Sequence, residues 1–574
     1  MLSQLQDVIT KKVFAVLLIF GISMTMCYPL LSANIIELDD TRMITDLNNP
    51  LRDYSVKKIF WPGKTKRYYR PLLICSFVLD SRIWALEYSG YHLTNNILHT
   101  LNAIIIYFIG LRFFRYHPRV EVTAFLASLI FLIHPLTIES VAWISGRTDI
   151  LGTFFSLLAY LFYLTKTRFR YFFVAFMVFL GLLSKENTLS ILPIIVLSEF
   201  FFYYKNGKGI KSVVAATKWA CILSVPLISY LYLRFAGFDL VQSQIEIVSS
   251  SKGNHLEGIS FFSNLEFLPA MIAFYIKKLF VPFPLNFAIS EINLVFYTIL
   301  FFILAGFILL FIFRKKFFSP AWVLIMVLSF FPALPIALSD VAWTKYAERY
   351  LYLAVPVCSF FFCALIPDVL DRINGKRKIM IPLVCTLGMI FFIATIDRVF
   401  TWKDRFTLWA DTYKKNPENG MVLYKYGTIL GDDEGLQYFK KAVQVAKDDE
   451  WKDLSLFALA GHAVKEKDYK TAEEYVKQAL KINSSRRNLY SAAGIIQKIM
   501  SEDETKDDSI RQFLIQIYQK AYEKKPRPVD LYNLINIYKS AEDRLNEERY
   551  YHLLQNRFPN SRAARNLFKK YNPQ

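Results

Sequence analysis

Apolar residues run in spanning lengths along the first two thirds of the chain and then give way to spaced, amphipathic patterns. The runs fall near 13–33, 93–111, 121–138, 148–165, 171–183, 189–204, 219–236, 292–313, 320–338, 350–370 and 379–396. A bilayer span needs roughly 20 predominantly apolar residues, so these predict about 11 transmembrane helices. A further stretch, Leu265–Pro284, carries Lys277-Lys278 and two late prolines. It predicts either a twelfth span or a helix lying in the interface. Basic clusters recur after every second span: Lys11-Lys12, Arg112/Arg115/Arg119, Lys166/Arg168/Arg170, Lys205/Lys208/Lys211, Arg314/Lys315/Lys316 and Arg372/Lys376/Arg377/Lys378. Placing them on the cytosolic side satisfies the positive-inside rule. With Leu265–Pro284 not crossing, parity puts the C-terminal region outside. The loop Asn34–Tyr91 falls outside although it holds nine Lys/Arg; long loops obey the rule weakly.

Beyond Asp397 the pattern is that of soluble helix pairs. Leu456, Leu459, Ala460, Ala463, Ala472, Val476, Ala479 and Ser484 fall on the positions of a 34-residue tetratricopeptide repeat. A second copy reads Leu531, Leu534 and Tyr538 and closes on Pro559; weaker copies close on Pro526, with an insertion around Ser501–Ser509, and surround Gly427–Ala442. The expectation is three to four degenerate repeats, a solenoid of the kind that binds peptides or proteins on a concave face. The domain boundaries are 1–396 for the membrane region, including the external loop 34–91, and 397–574 for the repeats.

Composition agrees with this division. The 574 residues are 54% hydrophobic, with 51 Phe, and carry a formal net charge of +20. From Asp397 onward there are 32 Lys+Arg against 26 Asp+Glu, so most of the excess lies in the membrane region. That excess sits in alternate short loops, which argues against a nucleic-acid partner. All six cysteines precede residue 397, and no Cys/His spacing of a metal site appears. No cofactor is indicated. The run from Val13 to Leu31 behind Lys11-Lys12 lacks a small-residue cleavage site and reads as an uncleaved first span.

Charged residues at membrane depth cost about 2.5–3.5 kcal/mol each on insertion scales and tend to be functional or paired. Here they gather in turns assigned to one side. Asp39-Asp40 follow the first span, Glu139, Arg147 and Asp149 occupy the turn between the third and fourth, Lys185-Glu186 the next outer turn, and Glu348-Arg349 the outer start of a late span. This convergence suits an anionic, membrane-embedded substrate. Cations would hold a phosphate, and a carboxylate of the Asp39-Asp40 pair would accept a proton from an attacking hydroxyl. The competing reading is a set of interface-anchored salt bridges.

The stretch His134-Pro135-Leu-Thr-Ile-Glu139-Ser-Val-Ala-Trp143-Ile-Ser-Gly146-Arg147-Thr-Asp149-Ile-Leu resembles the HPxxxExVAWISGRxDxL signature of the transmembrane and tetratricopeptide-repeat O-mannosyltransferases. So do Tyr69-Arg70-Pro71-Leu72, Tyr91-His92-Leu-Thr-Asn-Asn96-Ile-Leu-His99, Leu183-Ser184-Lys185-Glu186-Asn187 and Glu348-Arg349-Tyr350-Leu351-Tyr352, in the same order. The resemblance implies an all-α GT-C membrane glycosyltransferase fold followed by the repeat solenoid. It implies an inverting transfer of a hexose, mannose first, from a polyprenyl-phosphate carrier to Ser/Thr hydroxyls of an extracytoplasmic protein held by the repeats.

By position in that family Asp39 becomes the catalytic carboxylate, with Arg147 and Lys185, and secondarily Arg349, on the carrier phosphate. Glu139, Asp149 and His92 complete the substrate site. His92, Asn96 and His99 lie at i, i+4 and i+7 on one helical face, and packing inside the site is the reading taken over metal ligation. The array is much shorter than in animal members, which leaves the acceptor open. The alternatives are a same-fold enzyme acting on a lipid or glycan, and a non-catalytic membrane-anchored scaffold. The membrane would be the plasma membrane of a bacterium, which the short array favours, or the endoplasmic reticulum of a eukaryote.

Overall fold

The computed structural model describes residues 2–36, 39–47, 54–61, 69–165, 167–205, 207, 209–236, 264–313, 320–338, 344–372, 377–502 and 508–571. Among these the regular structure is α- and 3-10-helical, with no strand. The basic residues Lys166, Lys208, Arg314, Lys315, Lys316 and Lys376 lie outside the described residues. The chain divides into two compact units, Met1–Leu408 and Trp409–Gln574, and the helix Arg377–Thr401 runs unbroken through Asp397.

Among the described residues of the first unit five helices are long and apolar enough to cross a membrane: Lys11–Ser32, Tyr88–Phe113, Glu186–Tyr204, Gly209–Phe235 and Pro382–Thr401. Val120–Leu132 and Pro135–Ala142 qualify only as a pair, bent by 55°. Arg170–Leu182, Leu294–Leu309, Ala321–Phe330 and Ala354–Leu365 are apolar but shorter. The protein is thus a multi-pass membrane protein, with fewer full-length spans among the described residues than eleven apolar runs suggested. Two further helices, Leu294–Phe313 and Ala354–Arg372, run to 20 and 19 residues over their full extent, and one run is bent at His134-Pro135. Leu268–Phe280 is a helix of 13 residues, too short to cross a hydrocarbon core that needs about 20. It buries Ala270, Phe274, Tyr275 and Lys278.

The break that matters most is at His134-Pro135. Proline lacks an N–H and disfavours helix in the residue before it. His134 is accordingly extended (φ −81°, ψ 116°), and Pro135 opens a 3-10 turn. Two short helical segments follow, Ile138–Ala142 and Ile144–Gly146, before the chain re-enters a long helix at Arg147–Leu164. Gly146 fits here because a Cβ would stand 2.5 Å from the Ser140 carbonyl oxygen.

The second unit is an array of helix pairs: Gly420–Leu430 with Asp432–Val445, Asp449–Lys465 with Tyr469–Ile482, Arg486–Glu502 with Asp508–Lys524, and Pro528–Ser540 with Arg544–Arg557. The small and branched residues of the repeat pattern, Leu456, Ala460, Ala463, Ala472, Val476 and Ala479, share one buried core with Leu531, Leu534 and Tyr538. Side chains this small let paired helices approach closely, as at Gly427 and Gly435.

Candidate active site

The signature segment is clasped from one neighbouring helix. Asn95, on Tyr88–Phe113, donates through Nδ2 to the carbonyls of Val141, Trp143 and Ile144 at 3.3, 3.2 and 3.3 Å. Its Oδ1 accepts from Arg147 Nε at 2.7 Å. A buried amide with both ends satisfied can hold an irregular turn that would otherwise expose carbonyls to an apolar interior.

Asp39 and Asp40 open the helix Asp39–Leu47, and they separate sharply. Asp39 is exposed, whereas Asp40 is buried. Asp40 Oδ1 accepts from the Ser145 N–H at 2.9 Å and its hydroxyl at 2.5 Å, which ties the acidic loop to the turn before Arg147. Burial pushes the Asp40 carboxyl up to about 7, while the two Ser145 hydrogen bonds pull the other way.

Arg147 lies inside the protein, away from any open face. It is fully buried and pairs with Asp80 at 2.6 Å. It also donates to the carbonyls of Tyr91 and Ser76 and lies over the Phe77 ring at 4.3 Å. The Arg147 guanidinium, expected on the carrier phosphate, is here engaged by Asp80, Asn95 and the two carbonyls. A buried charge needs such a set of partners.

The cations with some exposure are elsewhere. Lys185 pairs with Asp149 at 2.5 Å, and Arg349 with Glu139 at 2.6 Å. The Arg349 backbone N–H also donates to Glu139, and its guanidinium reaches Thr344 Oγ1. Both cations face the Tyr350 ring, Lys185 at 5.8 Å and Arg349 at 5.0 Å. Arg349 also lies over Trp143 at 5.0 Å. Beside them, Arg70 grips Glu186 through Nε and Nη2 at 3.1 and 2.8 Å, and Arg234 takes the other oxygen at 3.2 Å. The charges of Arg70 and Arg349 both reach Lys185.

Lys185, Arg349, Glu139 and Asp149 are therefore brought together, with Tyr350 between the two cations. Arg147 pairs separately with Asp80, both buried. His92 is packed in the interior, and its helix neighbours are engaged locally: Asn96 donates to the Cys27 carbonyl, and His99 Nδ1 bonds Tyr352 Oη at 2.7 Å. Asp80, Asn95, Arg70, Arg234 and Tyr350 were not singled out from the sequence as site residues. Asp80 and Arg234 carried a usable signal, each a charge set among apolar residues of its helix, Asp80 after Cys-Ser-Phe-Val-Leu and Arg234 after Leu-Tyr-Leu. Among the described residues one three-ligand group could hold a metal, Asp433, His462 and Glu466 in the repeat unit; there Lys465 Nζ already stands 3.8 Å from the Asp433 carboxylate.

No family model matches the chain. Curated relatives do. Protein O-mannosyl-transferase F38B6.6 of Caenorhabditis elegans is 26% identical over 388 residues, covering 64% of this chain and 52% of the relative. Protein O-mannosyl-transferase TMTC3 of Homo sapiens is 26% identical over 436 residues, covering 67% and 45%. TMTC2 of Mus musculus is 38% identical over 96 residues, covering 17% and 11%. The chain spans about half the length of the first two. An apo oligosaccharyltransferase from Archaeoglobus fulgidus aligns with a TM-score of 0.37 at 14% identity, covering 76% of this chain and 60% of that one. The curated relatives of this chain are thus the TMTC protein O-mannosyl-transferases, the family its motifs resemble.

Proposed function

We propose that the protein is an inverting membrane glycosyltransferase of GT-C architecture. It moves a hexose, mannose in the first instance, from a polyprenyl-phosphate carrier to a Ser/Thr hydroxyl of an extracytoplasmic protein, with the repeats as the acceptor's docking surface. The observation that carries this reading is the pairing of Lys185–Asp149 and Arg349–Glu139 around Tyr350, drawn from three segments distant in sequence. The names of the curated relatives support the same chemistry.

In the transfer the acceptor oxygen attacks C1 of the sugar as the bond from C1 to the phosphate oxygen breaks. The acceptor proton passes to Asp39, which is exposed at the start of its helix. The charge left on the carrier phosphate is held by Lys185 and Arg349. Such pre-positioned cations stabilise developing charge, usually the largest single contribution to rate. Asp149 and Glu139 hold the two cations in place before the donor arrives. Asp40, Asn95 and the Asp80–Arg147 pair fix the turn that carries Asp149. The alternating basic loops support an external site and external repeats.

The test is purified protein given labelled polyprenyl-phosphate mannose and a membrane protein extract. Label should enter protein and be released by β-elimination. Label found only in lipid or free glycan would move the acceptor to those classes, and no transfer of any kind would leave the scaffold reading.

A further inference from the structure

Behind Arg349 lies a second buried ionic cluster to which the transfer chemistry assigns nothing. Glu348 is buried, and its Oε1 accepts from Lys278 Nζ at 2.6 Å and from the Asn286 N–H at 2.8 Å. Its Oε2 lies 3.9 Å from Arg398 Nη2. Both members of that pair are 1% exposed. The charge of Arg398 also reaches Glu139, the partner of Arg349, as does that of Glu348. Arg398 sits in the last turn of Arg377–Thr401.

The same turn reaches the site by a second route. Arg398 lies over Trp402, which is fully buried and meets Phe287 edge-on at 5.0 Å; Phe287 meets Trp143 at 6.4 Å, and Trp143 carries Arg349 on its face. The next residue, Lys403, accepts from the Asn34 N–H at 3.0 Å, at the root of the loop bearing Asp39.

We propose that Arg398 is a positioning residue for the donor-phosphate cation Arg349. With Lys278 on Oε1, it balances Glu348 from the Oε2 side, so that Arg349 stays with Glu139 and Tyr350. Without Arg398, Lys278 alone balances Glu348 from the Oε1 side, and Oε2 is left a buried carboxylate oxygen that competes with Glu139 for the adjoining Arg349. Removing one partner of a buried pair leaves the other to find a new one. Arg349 would then swing off Glu139 and away from the phosphate. This inference rests on the proposed donor site and is tested separately from it.

The experiment uses full-length protein in lipid nanodiscs, with Arg398→Gln and Arg398→Lys compared for polyprenyl-phosphate binding, donor KM and kcat per folded molecule. Arg398→Gln should weaken binding and raise donor KM by about tenfold, a 1.4 kcal/mol loss, with a smaller change in kcat. Arg398→Lys should recover most of the loss. Unchanged binding and KM in Arg398→Gln, or equal losses in the two variants, would overturn the role.

If Arg398→Gln does not fold, the double variant Arg398→Gln/Glu348→Gln, which removes both charges, decides. A donor KM near that of the unsubstituted protein supports the role, and a KM raised about tenfold removes it. If the unsubstituted protein binds no polyprenyl phosphate, the donor reading fails. The inference is then read from thermal unfolding of Arg398→Gln, Glu139→Gln and the double variant: non-additive effects support it and additive effects overturn it.

Discussion

At the scale of single residues, burial sorts charges that look equivalent in sequence. Asp39 and Asp40 are adjacent, yet one is exposed and the other closed over by Ser145. Arg147 and Lys185 belong to similar motifs, yet only Lys185 keeps an exposed edge. Arg147→Ala and Asp80→Asn should each destabilise the membrane unit by about 3–5 kcal/mol, because either leaves an uncompensated buried group. Thermal unfolding in detergent checks this; two variants with unaltered stability and reduced donor affinity would return Arg147 to the phosphate. Asp40 carries a pH signature. Its folded carboxyl titrates near 7 against an ordinary value of 3.8. Between these values the folded protein binds a proton that the unfolded chain does not. Its contribution to stability is therefore full below about 4, is lost as pH rises toward 7, and is level above. The difference in stability between the protein and Asp40→Asn should follow that course from pH 5 to 8, whatever other groups do.

At the scale of elements, the breaks hold more of the function than the spans. The His134–Asp149 segment is legible because it strings an X-Pro break, two carboxylates, an arginine and a glycine into an apolar stretch. What stayed hidden is what those charges meet. Asp80 lies on Pro71–Trp84 and Asn95 on Tyr88–Phe113, both far from Arg147 in sequence. Nothing in the spacing of charges says which of them faces inward, because an apolar helix offers a charged residue the same flanks in either case. The break at His134-Pro135 was hidden for a related reason: a hydropathy window cannot see a 55° bend. The repeat pattern was clearer, since Ala460, Ala472 and Ala479 mark close helix packing and are fully buried. Each helix pair in such an array leans only on its neighbours. Removing Pro417 to the C-terminus should therefore leave the first unit folded and able to bind carrier lipid. Transfer to the protein acceptor should drop strongly, and full-rate transfer without the repeats would show that they do not dock it.

At the scale of the whole molecule, the account requires the acidic loop, the cation pair and the repeats to share the non-cytosolic side. Ser501 is exposed in the repeat unit, and the native cysteines all lie in the first unit. Ser501→Cys should thus react with a membrane-impermeant maleimide on intact cells, above the background of the unsubstituted protein. Labelling only after permeabilisation would reverse the orientation. The most direct measurement is the transfer rate of Asp39→Asn per folded molecule, with unfolding followed in the same detergent. The substitution keeps size and removes the base. A positioned base is worth about 10²–10⁴-fold in rate, so turnover should fall by that order while donor binding and stability hold. Near-normal turnover in folded Asp39→Asn would contradict the account.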